Sequence, residues 1–328
     1  MKTRRVGTNG PELSEIGLGC MAMSEFYGQS DDKESKRLIL SALEMGVTML
    51  DTADMYGNGH NERLIAEALK DFSGEVFIAT KFGIVKKPGE YARTFCGKPE
   101  YVRKSLEKSL KRLNVEAIDL YYIHRVDKDV PIEETVGCMS NLVKEGKIKY
   151  IGLSEPSVKT LLKAHAVHPV TAVQSEYSLF TRDVEKEMLP ILDQYGIGFV
   201  PYSPLGRGLL TGKIDQKSIN KEGDFRQFLP RNQGENFRHN MKLVEQLRKI
   251  AENKGVTLAQ LALSWVLSKG ENIVPIPGTR QIKYLKDNIA AADIVLEKKE
   301  IEQLESIFHP GAVLGDRYTE EGMKGLNA

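Results

Sequence analysis

Cysteine is scarce in this chain: only Cys20, Cys96 and Cys138 occur among 328 residues. Three widely spaced thiols give neither a C-x-x-C pair nor zinc-finger spacing, which argues against a disulfide framework or structural zinc and for a reducing cytoplasm. Charge of one sign is lacking too. The 46 Lys and Arg face 45 Asp and Glu, a net charge of +1, so no global field recruits nucleic acid or an anionic membrane, although a local basic pocket stays open. The start, Met1-Lys2-Thr3-Arg4-Arg5-Val6-Gly7, has no apolar signal-peptide core, and its paired arginines lead into none. No apolar run approaches the ~20 residues of a membrane span. Repeats longer than one strand–helix unit and low-complexity tracts are also missing.

What is present is an ordinary composition, 41% hydrophobic and 28% charged, which can build a large core. Short apolar runs at 15–21, 47–51, 76–81, 118–124, 148–154, 172–176, 198–203 and 273–277 predict eight strands. Helical periodicity lies between and after them, at 31–45, 61–72, 100–113, 157–166, 183–195, 240–253, 258–268, 282–291 and 298–308. Pro99 and Pro131 suit first turns of helices, and Gly46, Gly146, Gly196 and Gly270 suit C-terminal caps. This alternation without a linker predicts one α/β domain over 1–328, a closed (β/α)₈ TIM barrel, with an open doubly wound sheet as the alternative. Residues 1–14, around Asn9-Gly10, predict a hairpin able to cap the barrel bottom. Three stretches exceed ordinary connections: 82–98, 205–238 and the tail 309–328. Long loops beyond strand C-termini hold a barrel's specificity, whereas a tail need not be ordered at all.

Three of the runs end in ionisable residues, Asp51, Lys81 and His124, and Tyr56 follows the first by five positions. Buried strands need partners for such groups, and a parallel barrel brings all strand C-termini to one rim. A phenol of pKa near 10 is a weak acid at neutral pH, and a neighbouring ammonium lowers that value. Lys81 can supply the charge, Asp51 can hold Lys81, and neutral His124 can donate to a carbonyl. Singly, each has a common structural role; together they describe proton delivery to a carbonyl. No side chain offers itself as nucleophile, so the sequence points to a cofactor hydride.

The segments Asp51-Thr52-Ala53-Asp54-Met55-Tyr56-Gly57, Thr80-Lys81-Phe82-Gly83 and Asp119-Leu120-Tyr121-Tyr122-Ile123-His124 resemble signatures of the aldo-keto reductase superfamily, and the similarity runs from Gly17 to Asn288. That resemblance implies a (β/α)₈ barrel using NAD(P)H, with Asp51, Tyr56, Lys81 and His124 as the catalytic tetrad. Rossmann glycine fingerprints do not fit: neither Gly17-Leu18-Gly19-Cys20-Met21-Ala22 nor Gly206-Arg207-Gly208-Leu209-Leu210-Thr211-Gly212 sits between a strand and a helix. The resemblance instead places the cofactor along the rim, beside Gly19, Cys20 and Met21. Ser154 and Gln174 are expected at the nicotinamide carboxamide, or as plain strand-end caps, and Tyr202 against the ring. Ser203, Pro204, Leu205, Gly206, Arg207 and Gly208 are expected to wrap the pyrophosphate with backbone amides. Glu155 stands where the family often has Asn, and a carboxylate cannot donate to the carboxamide oxygen. Gly278, Thr279, Arg280 and Lys283 at a helix start form an anion site suited to a 2′-phosphate, with Asp287 and Asn288 at the adenine, favouring NADPH/NADP+ over NADH.

Substrate identity is open beyond a carbonyl of modest size. Phe26, Tyr27, Phe82, Tyr91, Phe95 and Phe228 are candidate apolar walls, and Arg125 a candidate anion contact. His165 and His168, followed by Pro169, lack a metal-ligand partner, so no metal is expected, and His60, His239 and His309 read as surface residues. Two other readings compete: a redox-sensing NADPH-binding module resembling cytoplasmic potassium-channel β-subunits, and a phosphate-binding barrel lyase or isomerase that leaves Tyr56 without a role. No heptad or apolar patch indicates an oligomeric state.

Overall fold

The computed structural model describes residues 1–86 and 93–326, with Lys86 and Arg93 described by backbone alone. In chain order, β1 (Thr3–Arg5) and β2 (Glu12–Ser14) form the expected antiparallel hairpin. They precede β3 (Leu18–Gly19), β4 (Met49–Asp51) and β5 (Phe77–Phe82). A two-stranded ribbon, β6 (Ile84–Lys86) and β7 (Arg93–Phe95), leads to β8 (Ile118–Ile123), β9 (Ile148–Ser154), β10 (Ala172–Glu176) and β11 (Gly198–Tyr202). Seven of these strands make one parallel sheet in the order β11-β10-β9-β8-β5-β4-β3.

The eighth expected run, 273–277, has no ladder of its own, because Pro275 and Pro277 carry no N–H. It closes the barrel nonetheless. On one side Val274 and Ile276 donate to the carbonyls of Phe199 and Pro201 in β11. On the other, Gly17 and Gly19 donate to the carbonyls of Pro275 and Pro277. The prolines sit where only their carbonyls are needed, so a (β/α)₈ barrel closes through an irregular eighth stave.

Helices fill the connections as their periodicity dictates. Pro99–Leu113 starts on its proline, buries Val102, Leu106 and Leu113, and stops at Asn114 in the left-handed region (φ 55°). The expected helix over 183–195 splits into a 3₁₀ turn, Asp183–Glu185, and a helix, Met188–Tyr195. Pro190 lacks the N–H a continuing helix needs and is tolerated only in a first turn. The expected 240–253 helix starts earlier, as Gly234–Lys254. Gly46, Gly146 and Gly196 take left-handed caps, whereas Gly270 does not.

One apolar layer lies between sheet and helices, and a second fills the barrel with Met49, Ala79, Leu120, Tyr122, Ala172, Val200, Val274 and Ile276. Val6 and Leu13 of the hairpin join that inner layer, so the bottom of the barrel interior is plugged and the C-terminal rim is its open end. Gly152 of β9 makes room inside: a Cβ there would lie 2.4 Å from the Tyr122 ring.

Candidate active site

Asp51 ends β4, Lys81 lies in β5, His124 follows β8, and Tyr56 sits in the turn after β4, so the rim gathers all four. Lys81 is fully buried, and its Nζ donates to Asp51 Oδ1 at 2.5 Å and to the Thr52 carbonyl at 2.7 Å. Gln174 Nε2 donates to the other Asp51 oxygen at 2.8 Å. Lys81 Nζ stands 5.3 Å from the Tyr56 ring centroid, and the Tyr56 and His124 rings meet edge to face at 5.8 Å. Burial raises the Asp51 carboxyl and lowers the Lys81 ammonium, while their contact opposes both changes. Burial, with Asp51, pushes the Tyr56 phenol well above its ordinary value, and Arg125 only partly offsets this. The lowering expected from Lys81 is outweighed in the free protein by burial and by Asp51, to which the ammonium is bonded. Tyr56 keeps its proton at neutral pH.

A buried polar layer holds these elements. Thr52 donates to Asn61 Oδ1 at 2.6 Å, and Asn61 donates to the Cys20 carbonyl at 2.9 Å. Thr80 and Arg112 both donate to Glu62, at 2.7 and 2.5 Å. Asp54 is less well served: its Oδ1 is buried without a partner, and burial with the nearby Glu62 charge pushes its carboxyl up to about 7. A raised carboxyl stabilises the fold when protonated, so its cost grows as pH rises from ~4 toward 7. Asp54→Asn should therefore raise the midpoint of thermal unfolding at pH 8, by roughly 1–3 kcal/mol of stability. The gain should fade toward pH 4; an unchanged difference between the two pH values would refute this assignment.

One cavity of about 430 Å³ opens on the rim. Asp51, Tyr56, His124, Ser154, Gln174 and Tyr202 line one part, with Gly19 and Met21 beside them. Ser203, Pro204, Leu205, Arg207 and Gly208 follow, and Gly278, Thr279, Arg280, Asp287 and Asn288 complete the wall. Four expected residues stand outside the lining. Lys81 lies behind Asp51, and the Cys20 side chain packs in the apolar core. Gly206 falls behind the turn, and Lys283 caps the Tyr284 ring at 4.8 Å. The 203–208 turn is left-handed at Ser203, Gly206, Arg207 and Gly208, and the Gly206 and Gly208 amides donate back to the carbonyls of Ser203 and Leu205. Two segments pair over the opening: Phe225 donates to the Phe26 carbonyl, Gly28 to that of Gly223, and Arg280 to that of Gln29 at 2.6 Å.

Of the aromatic walls, Phe26 and Tyr27 face the cavity. Phe82 is instead core, stacked on Tyr121 at 4.8 Å, because its position in β5 alternates outward from Lys81. Phe95 packs against the cluster of Ala53, Met55, Tyr56 and Ile84, Phe228 is 51% exposed, and Tyr91 lies outside the described residues. No His, Cys, Asp or Glu cluster among the described residues suits a metal, and no helix among them is long and apolar enough to cross a membrane. Lys213, which lines the cavity and lies 4.1 Å from the Tyr284 ring, carried no sequence signal.

The tail is ordered through a buried network that no local motif announces. Arg317 donates twice to Glu155, at 2.7 and 2.8 Å, and Tyr202 donates to the same carboxylate at 2.8 Å. Tyr318 brings its hydroxyl to 3.0 Å from that of Tyr202 and stacks under Arg207 at 4.4 Å. Arg207, left-handed at φ 54°, also pairs with buried Glu176 at 2.6 Å. Burial pushes Glu155 upward, but Arg317 overcomes it and keeps the carboxyl below its ordinary value. The residue that departs from the family pattern is thus the anchor of the tail.

The aldo/keto reductase family profile matches residues 15–309. A probable aldo-keto reductase 1 of Glycine max is 47% identical over 316 residues, covering 96% of this chain and 91% of that protein. Among solved structures, the glycerol dehydrogenase AKR11B4 from Gluconobacter oxydans superposes with a TM-score of 0.86 at 30% identity, over 94% of this chain and 95% of that one. The aldo-keto reductase AKR11C1 from Bacillus halodurans, in its holo form, gives 0.77 at 25% identity over 98% of each chain. With a barrel closed at 273–277 and the four rim residues gathered at its mouth, the chain belongs to the aldo/keto reductase family, carbonyl oxidoreductases that use nicotinamide cofactors.

Proposed function

We propose that this protein reduces aldehydes or ketones to alcohols with NADPH, using Asp51, Tyr56, Lys81 and His124. The observation that carries the reading is one cavity joining Tyr56 and His124 to the cationic wall at Arg280 and Lys213. Bound NADPH would supply hydride to the carbonyl carbon. His124 orients the carbonyl oxygen, and the Tyr56 phenol delivers its proton there as negative charge develops, after which solvent restores it. The phenolate left behind is stabilised by Lys81 below the ring and by Arg125. Asp51 keeps Lys81 charged and in place.

The donor set fits a phosphorylated dinucleotide. Arg280 and Lys213 face the cavity with no carboxylate partner among the described residues, while Arg226 beside them is paired with Asp224. Burial and Arg226 lower the Arg280 guanidinium, and an arriving phosphate would relieve that repulsion. Arg280→Ala should raise the NADPH Kd about 10–100-fold, the worth of a charge-assisted hydrogen bond, and leave that for NADH within about threefold. Equal effects on both would remove the 2′-phosphate assignment. The function itself is tested by NADPH oxidation over aliphatic and aromatic carbonyls; tight NADPH binding with no turnover on any of them would sink it.

A further inference from the structure

We infer that the carbonyl substrates suited to this site carry a carboxylate near the reacting group, bound by Arg125. The inference deepens the reductase reading and rests on it for the identity of the reacting group. Arg125 is 9% exposed and lines the cavity between His124 and Ser154. Its Nη1 donates to the His124 carbonyl at 2.6 Å and to Ser154 Oγ at 3.0 Å, both neutral acceptors. Among the described residues no carboxylate pairs with it. Burial lowers the guanidinium, but Tyr202, Tyr318 and Glu155 hold it above its ordinary value, and Glu155 is itself gripped by both arms of Arg317.

Three N–H groups remain, one on Nε and two on Nη2. Neither nitrogen has a hydrogen-bond partner among the described residues, and neither is among the fully buried unsatisfied atoms, so both stay accessible. They form the side-on edge of the guanidinium, whose parallel N–H pair matches the two oxygens of a carboxylate. The surrounding charge is unbalanced in the same direction. Buried Arg125 and Arg317 and partly buried Arg207 stand at this wall against Glu155 and Glu176. Tyr318 registers the excess: burial pushes its phenol up, yet Arg207 and Arg125 bring it below the ordinary value. A buried guanidinium whose bonded partners are neutral can take an anionic ligand without breaking an existing ion pair.

Its neighbours set where the anion would lie. His124 precedes Arg125 in the chain, and the Arg125 charge acts on the Tyr56 phenol. A carboxylate held there would belong to the molecule whose carbonyl meets Tyr56. The reaction it would undergo is balanced as for any aldehyde: hydride to carbon from NADPH, proton to oxygen from Tyr56, carboxylate unchanged.

The test compares matched pairs with the intact protein and NADPH: succinic semialdehyde against butanal, and 4-carboxybenzaldehyde against benzaldehyde. The wild type should favour the acid of each pair at least tenfold in kcat/KM. Arg125→Met should collapse that ratio to about one, and Arg125→Lys should keep part of it. A wild-type ratio of one or below, or the same ratio in Arg125→Met, overturns the inference. A readout free of turnover uses benzoate with bound NADP+. Benzoate should raise the melting temperature of the wild type and not of Arg125→Met, or of Arg125→Gln should the methionine variant not fold. An equal rise in wild type and variant overturns the inference. A selective rise without reduction of any aldehyde would keep the anion site and discard the reductase reading. An NADPH Kd weakened in the variant with the acid preference intact would assign Arg125 to the cofactor and overturn the inference.

Discussion

Tyr56→Phe should lower kcat/KM for carbonyl reduction by about 10²–10⁴-fold, the usual worth of a positioned general acid. The large effect follows from the phenol's setting. Its proton is firmly held, since burial and Asp51 both raise the phenol's pKa, and it is the phenol whose ring meets His124, the residue that would hold the carbonyl oxygen. Phe keeps the ring that meets His124 edge to face at 5.8 Å and that lies 5.3 Å from Lys81 Nζ. Volume and packing are therefore conserved, and NADPH affinity, followed by quenching of its fluorescence, should change less than threefold. Turnover within tenfold of wild type would remove Tyr56 as proton donor.

Much of this architecture was legible because it is local. An apolar run ended by Asp51, Lys81 or His124 exposes a strand and its functional terminus in the same few residues, and parallel topology alone brings such termini together. The closing segment 273–277 was legible as a stave but not in its bonding, since Pro275 and Pro277 cannot donate. The net direction of the Tyr56 pKa was not legible, because burial and the Asp51 charge, neither visible in the local sequence, outweigh an ammonium that is also bonded to Asp51 and Thr52. Phe82 looked like a wall because it follows Lys81, when alternation along β5 turns it to the other face. Least legible was the tail. Glu155 and Arg317 are separated by 162 positions, and nothing in the composition of either neighbourhood marks the other.

That remote pair predicts the largest stability effect in the molecule. Glu155 and Arg317 are 2% and 6% exposed, so removing one partner leaves the other charged, buried and unmatched. Arg317→Met should destabilise the protein by about 3–5 kcal/mol, read as a lower urea midpoint. Glu155→Gln should cost a similar amount at pH 7. The double variant should recover much of the loss, because neither charge is then stranded. The sign with pH is set by the carboxyl, which Arg317 holds below its ordinary value despite burial. Its contribution is complete above the unfolded carboxyl value of about 4.3 and is lost as pH falls through the lower folded value. The gap between wild type and Glu155→Gln should therefore be full at pH 7 and narrow below pH 4. An Arg317→Met variant within 0.5 kcal/mol of wild type would mean that the ion pair is not what holds the tail. Loss of the pair should also reach the site, since Tyr318 follows Arg317 directly and lines the cavity beside Tyr202. A freed tail would loosen that wall, and the carbonyl KM should rise in Arg317→Met.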